Sequence, residues 1–173
     1  MQEVLDRASK IELVIFDVDG VLTDGRLYLS DTGQESKAFH SRDGHGMKML
    51  GRSGVVMAAI TGRSSNIVTL RMQELGIKHV FQGQQDKLPV YERLIAELDI
   101  DSTQVAYVGD DVVDLPVMRR VGLSIAVNDA HQLVKRYAHW LTPNNGGQGA
   151  ARDVCELILR GRGELDEILD SYL

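Results

Sequence analysis

An apolar run that ends on two aspartates, Ile11-Glu12-Leu13-Val14-Ile15-Phe16-Asp17-Val18-Asp19-Gly20-Val21, constrains this chain more than any other stretch of it. Apolar residues in near succession, rather than in strict alternation with polar ones, predict a strand buried on both faces, as in a parallel sheet covered by helices. Carboxylates at the end of such a strand are costly unless a cation or a hydrogen-bond donor compensates them. Asp17 and Asp19 are therefore the first candidates for metal binding or chemistry.

Further apolar runs of strand length follow at Val55 to Ile60, His79 to Phe81, Val105 to Val108 and Leu123 to Ala126, with helical patterns between them. Ser64 or Ser65 can cap a helix through Ile67, Leu70 and Leu75 that stops at Gly76, and Asp86 can cap one carrying Val90, Leu94, Ile95 and Leu98, with Pro89 in its first turn. The alternation predicts an α/β fold, a Rossmann-like parallel sheet with helices on both faces, in a single domain over 1–173. One segment interrupts it. Arg26 to Ser30 and Gln34 to His40 flank the turn sequence Asp31-Thr32-Gly33, which predicts a β-hairpin inserted after the first strand, at about 26–40. The only loop-like tract is Thr142 to Gly149, ahead of the last helices.

Composition excludes several classes of function. A formal net charge of −6 without clustered Lys and Arg argues against nucleic acid as a partner, because binding to a phosphate backbone is driven by such clusters. The first ten residues carry Glu3, Asp6, Arg7 and Lys10 and lack the apolar core of a secretory signal, and no apolar run approaches the roughly 18 residues needed to span a bilayer. A cytoplasmic protein with no membrane partner is expected. The single cysteine, Cys155, sits in an apolar helical pattern from Val154 to Leu159 and reads as a small buried thiol.

In an open parallel sheet, ligands bind outside the carboxyl ends of the strands. Here those ends carry Asp17 and Asp19, then Thr61-Gly62-Arg63, then Gly109-Asp110-Asp111, while the helix after the third strand begins at Asp86-Lys87. Acids, a hydroxyl, a glycine amide and one lysine together match a Mg²⁺ and phosphate site, since hard carboxylate oxygens suit Mg²⁺ while Lys and backbone N–H groups hold phosphoryl oxygens. Zinc is disfavoured because the Cys and His clusters it prefers are missing. Asp17 can then attack phosphorus, and Asp19 can protonate the leaving alkoxide and later deprotonate water. Asp110 would complete the metal site, and Asp111 or Asp114 could orient its ligands from behind. Singly, each piece has a plainer reading: an Asx turn at Asp17 to Asp19, a loop before a capped helix at Thr61, a helix cap at Gly109 to Asp111.

In order and together, these motifs resemble the haloacid dehalogenase-like phosphatase superfamily over nearly the whole chain: Asp17-Val18-Asp19-Gly20-Val21, Thr61, Lys87, and Gly109-Asp110-Asp111-Val112-Val113-Asp114. The resemblance implies that Asp17 is the phosphorylated nucleophile, that Asp19 is the acid/base and a metal ligand through its main-chain carbonyl, and that Asp110 is a metal carboxylate. It also implies that Thr61, Gly62 and Lys87 hold phosphate.

A narrower set, Asp17 to Gly25, the hairpin, and His40-Ser41-Arg42-Asp43-Gly44-His45-Gly46, is similar to superfamily members that release phosphate from an eight-carbon sugar acid on the route to lipopolysaccharide. That similarity implies a capless homotetramer with hairpins at its centre and each active site at a subunit interface. It also implies a flexible C-terminal segment, about 142–173, that contains Gly146 to Arg152; Asp153 stands where Glu is more usual. Arg63 could pair with the sugar acid's carboxylate, and His40 and His45 could touch substrate across a subunit boundary. Two rival readings are a phosphatase of nine-carbon, sialic-acid-type 9-phosphates and a binding or assembly module without turnover.

Overall fold

The computed structural model describes residues 1–173. Its eight strands are β1 (Leu13–Phe16), β2 (Tyr28–Leu29), β3 (Glu35–Ser36), β4 (Val56–Ile60), β5 (His79–Phe81), β6 (Val105–Gly109), β7 (Leu123–Ala126) and β8 (Trp140–Leu141). Six of them form one parallel sheet in the order β5-β4-β1-β6-β7-β8, and β2 and β3 pair separately as an antiparallel hairpin. Every strand expected for the sheet is present. β1 starts at Leu13 rather than Ile11, because Ile11 still belongs to the turn that ends the first helix, its N–H donating to the Ala8 carbonyl.

The central strands are apolar throughout, and each residue of β1 and β6 is buried, as the double coverage of a parallel sheet requires. Burying a side chain the size of Phe16 contributes roughly 1.5–3 kcal/mol. Helices α1 (Gln2–Ala8), α2 (Ser41–Arg52), α3 (Asn66–Leu75), α4 (Leu88–Leu98), α5 (Leu115–Met118), α6 (Gln132–Tyr137), α7 (Ala150–Gly161) and α8 (Leu165–Asp170) complete the chain. None is long and apolar enough to cross a membrane.

The expected stop of α3 is present, although the side chain of Ser65 makes no capping hydrogen bond at its start. α3 begins after Ser65 and ends at Gly76, which adopts the left-handed conformation (φ 74°) that glycine permits. The Asp86 carboxylate accepts the Leu88 N–H at 3.1 Å, ahead of α4.

Two regions differ from the sequence expectation. α2 has no counterpart in it, because Gly44, Gly46 and Gly51 each weaken intrinsic helix propensity. Tertiary packing overrides that cost: a Cβ on Gly46 would lie 2.6 Å from Arg152 Cδ and 3.1 Å from its Cα, so the missing side chain is what lets α2 lie against α7. The C-terminal stretch from about 142, which the sequence suggests only as a loop before the last helices, packs closely against the rest of the chain. Gly147 N–H donates to the Val21 carbonyl at 2.9 Å and Gly146 N–H to Asp129 Oδ1 at 2.9 Å, and α7 buries Ala151, Val154, Cys155, Ile158 and Leu159 in the core. A helix with so wide an apolar face is held by the core it completes. Burial pushes the Cys155 thiol up, in keeping with a packing role.

Candidate active site

The sheet reverses direction of growth at β1, with β4 on one side and β6 on the other. The crevice beyond the carboxyl ends of these strands is where Asp17 and Asp110 emerge. One oxygen from each of Asp17, Asp110 and Asp114 falls in a cluster whose members all lie within 4.8 Å of one another. Glycines make that approach possible. Gly20 has φ +90°, and a Cβ there would lie 2.1 Å from Asp110 Oδ2; at Gly109 a Cβ would lie 2.5 Å from Asp114 Oδ2.

Lys87 joins the acids from the start of α4. Its Nζ lies 2.8 Å from Asp17 Oδ2 and 2.7 Å from Asp114 Oδ1, and its side chain is only 2% exposed. Burial pulls the ammonium down, but Asp114 and Asp17 outweigh it and the net shift is upward. Asp114 is fully occupied. Oδ1 also accepts the Tyr107 hydroxyl at 2.7 Å, and Oδ2 accepts the N–H groups of Asp110 at 3.0 Å and Asp111 at 3.3 Å. Its geometry is that of a residue that fixes Lys87 and the Asp110 loop. The Asp111 carboxylate turns away to cap the short turn at Val112, accepting that N–H at 2.7 Å.

Asp17 Oδ1 accepts the Val18 N–H at 2.6 Å. Burial first, and then the nearby Asp114 charge, push the Asp17 carboxyl up to about 6 against the opposing pull of Lys87. Asp110, whose carboxylate accepts no hydrogen bond within the chain, is pushed to about 8 by burial and then by Asp17 and Asp114. Three acids face a single ammonium, so the site lacks positive charge. Hard oxygen donors with a deficit of positive charge fit Mg²⁺ and not a soft metal. Within the cluster, Asp17 and the free Asp110 carboxylate could hold it; the main-chain carbonyl of Asp19, which accepts no backbone hydrogen bond, is the further donor that the family resemblance implies.

Thr61 and Gly62 follow β4 on the same side of the sheet. Thr61 is buried and its hydroxyl bonds to nothing in the chain, while its backbone N–H donates to Phe81 and its carbonyl accepts from Gln84, both at 2.9 Å. The Gly62 carbonyl accepts the Gln85 side-chain amide at 2.8 Å, and its own N–H is unpaired.

Asp19 lies apart from the acidic cluster and meets the hairpin. Lys37 Nζ contacts Asp19 Oδ1 and stands 3.4 Å from Glu35 Oε1; Arg63 Nη2 stands 2.8 Å from that Glu35 oxygen, and Arg63 Nε 3.9 Å from Asp19 Oδ2. Sequence reasoning passed over Glu35 and Lys37. Positions 35 and 37 share a face at the two-residue period of a strand, but β3 is only two residues long, too short a pattern for the sequence to declare that face. Asp43, which the sequence offers only as part of the His40 to Gly46 motif, has a structural role. It is buried and accepts the N–H groups of Arg152 at 2.8 Å and Gly149 at 3.3 Å, capping α7. His40 precedes α2 with a buried, unpartnered Nδ1, whereas His45 packs edge-on against Tyr172, 5.5 Å between ring centres.

Comparison with known proteins agrees with this fold. The family model described as haloacid dehalogenase-like hydrolase matches residues 63–153. A curated relative from Yersinia pestis, a 3-deoxy-D-manno-octulosonate 8-phosphate phosphatase, is 49% identical over 164 residues, covering 95% of this chain and 88% of its own. Among solved structures, a probable phosphatase of the YrbI family from Pseudomonas syringae superposes with a TM-score of 0.98 at 52% identity, covering 99% of this chain and 98% of that one. A 3-deoxy-D-manno-octulosonate 8-phosphate phosphatase from Moraxella catarrhalis, solved in complex with magnesium ion, phosphate ion and the sugar acid, superposes with a TM-score of 0.98 at 40% identity, covering 100% and 99%.

Proposed function

The chain belongs to the haloacid dehalogenase-like hydrolase family, and from that premise we propose that it is an Mg²⁺-dependent phosphomonoesterase that converts 3-deoxy-D-manno-octulosonate 8-phosphate to the free sugar acid and phosphate. The observation that carries the chemistry is the cluster of buried Asp17 and Asp114 with half-buried Asp110, the first two paired with Lys87, at the end of a strand whose next acid, Asp19, stands outside it. The substrate assignment rests on the 49% identity to a phosphatase of that ester.

The two aspartates divide the work. A carboxylate oxygen of Asp17 attacks phosphorus, the bond from phosphorus to the sugar oxygen breaks, and Asp19 gives its proton to that oxygen as it leaves. Asp19 then takes a proton from water, the water oxygen attacks the phosphorus of the aspartyl phosphate, and Asp17 departs as carboxylate. A carboxylate and a phosphate dianion repel by about 1 kcal/mol per pair of unit charges at ~4 Å even in bulk water, and by more where water is excluded. Lys87 offsets part of this, and in this reading Thr61 and the Gly62 amide hold phosphoryl oxygens. Asp17, Asp110 and the Asp19 carbonyl would hold Mg²⁺, which would supply the remaining positive charge. Asp114 keeps Lys87 in place, Asp111 holds the following turn, and Arg63 is the group of choice for the sugar's carboxylate.

Residues 1–173 act in this reading as one catalytic domain without a large cap. The exposed apolar residues of the hairpin, Leu27, Tyr28 and Leu29, support assembly into a homotetramer in which neighbours cover each other's sites. A nine-carbon acid 9-phosphate is the rival substrate, and no observation favours it.

The test is phosphate release from a panel of sugar phosphates that includes the octulosonate 8-phosphate and nine-carbon acid 9-phosphates, with Mg²⁺ and then with EDTA. A strong Mg²⁺-dependent preference for the octulosonate ester is expected. Equal rates on both classes would remove the substrate assignment, and no release from any ester would leave a binding module.

A further inference from the structure

Lys37 is almost completely enclosed, with a side chain 1% exposed, although it belongs to a hairpin whose other residues are mostly open to solvent. A lysine is buried in this way only when its ammonium is paired, and here the partners are two carboxylates, Asp19 and Glu35. Arg63 closes the circuit by meeting Glu35 at 2.8 Å and approaching Asp19 at 3.9 Å. The result is a ring of alternating charge that joins three pieces of chain: the loop after β1, the loop after β4, and the Glu35 to Lys37 arm of the hairpin. The backbone supports the same placement, because Thr23 and Phe39 form an isolated antiparallel bridge that pins the base of the hairpin beside the Asp17 to Asp24 loop.

We propose that Lys37 is a positioning residue for Asp19: from the hairpin of the same chain it holds one carboxylate oxygen and thereby aims the other toward the departing sugar oxygen. An unrestrained aspartate on a loop samples several rotamers, and proton transfer to a leaving group requires heavy atoms within about 2.6–3.2 Å. Lys37 holds Asp19 through Oδ1 and leaves Oδ2, 3.9 Å from Nε of the half-exposed Arg63, without a hydrogen bond in the chain. The hairpin thus completes the catalytic geometry of its own subunit, whatever it also contributes to assembly. This inference rests on the assignment of Asp19 as general acid.

Leaving-group dependence separates the proposal from a merely structural role. An alkyl sugar ester needs a proton on its departing oxygen, whereas p-nitrophenolate leaves without one. The two esters therefore report the aim of Asp19 through kcat/KM, which covers steps up to loss of the first product. For Lys37→Met we expect kcat/KM on the octulosonate 8-phosphate to fall about 10- to 100-fold, within the range general acid catalysis supplies. On p-nitrophenyl phosphate it should fall less than about 3-fold, with Lys37→Arg restoring much of the sugar-ester rate. Sedimentation and thermal melting of the variant identify any loss of assembly or fold, in which case Glu35→Gln, which loosens Lys37 without removing it, is measured in its place and should show a weaker form of the same selectivity. Equal losses on the two esters, or no loss on either, would overturn the positioning role. Failure of the wild-type enzyme to release phosphate from any ester would instead strike the proposed function itself.

Discussion

At the scale of single residues, the site is a set of buried charges whose costs are visible in their ionisation. Asp17 and Asp110 are raised from 3.8 to about 6 and about 8, burial being the larger cause in each. A carboxyl raised on folding contributes stability that is fully present below about pH 4 and is lost as pH climbs through the folded value. In metal-free protein that contribution fades between about pH 4 and pH 8. Mg²⁺ must displace those protons at the acid end of the window and meets bare carboxylates at the other. The rise in melting temperature on adding saturating Mg²⁺ should therefore be small at pH 5 and larger at pH 8, on the order of 5–10 °C at about a hundred times Kd. Differential scanning fluorimetry checks this, and a shift that ignores pH would contradict the assigned donors. Asp110→Asn should melt higher than wild type without metal at pH 8, because it removes a charge from a crowded acidic cluster, and it should lose the response to Mg²⁺. Asp17→Asn keeps the volume of the side chain but cannot attack phosphorus. It should cost at least about a thousand-fold in kcat with circular dichroism unchanged, and substantial residual turnover would remove Asp17 as nucleophile.

At the scale of elements, the catalytic loops are set by close backbone contacts rather than by side chains. A Cβ on Gly146 would fall 1.7 Å from the Gly20 carbonyl oxygen, so the tract before α7 supports the loop that carries Asp19 from directly behind. Gly146→Ala should destabilise the protein by about 1–3 kcal/mol and lower kcat as well, because neither backbone can yield without displacing the loop. Melting and steady-state kinetics measured together decide it, and wild-type values in both would mean the tract is not a support. Little of this was legible in the sequence. The strands of the sheet were, since continuous apolar runs such as Leu13 to Phe16 have few other uses, and so were Asp17, Thr61, Lys87 and Asp110, because each falls at the end of a strand or the start of a helix. α2 was not, since its glycines lower local propensity and pay off only against α7. Nor was the packing of Gly146 to Gly149, whose composition reads as loop until its partners are known. Lys37 went unnoticed because a two-residue strand carries too short a pattern to declare a face.

At the scale of the whole molecule, the hairpin is the part that a single chain leaves unexplained. β2 and β3 are two residues each, and an isolated pair of strands is marginal in water. The base is anchored by the Thr23 and Phe39 bridge and by Lys37, yet Leu27, Tyr28 and Leu29 are 51%, 41% and 63% exposed and none packs against the core. Consecutive apolar residues on a short, unpaired edge are disfavoured in a free monomer, and burying them against copies of themselves is the resolution the proposed homotetramer supplies. Leu29→Asp should therefore dissociate the assembly, because each copy would bring a charge into a shared apolar centre with no cation opposite it. The fold of the subunit should be unaffected, since Leu29 makes no core contact. Sedimentation velocity on the wild type and the variant gives the mass directly, and the melting temperature shows that the subunit is intact. If neighbours cover each other's sites, the variant's activity toward the sugar ester should fall with the mass, while its activity toward p-nitrophenyl phosphate, which needs fewer contacts, falls less. An oligomer of unchanged mass would take the hairpin out of the interface; dissociation with undiminished activity would show instead that each subunit carries a complete site.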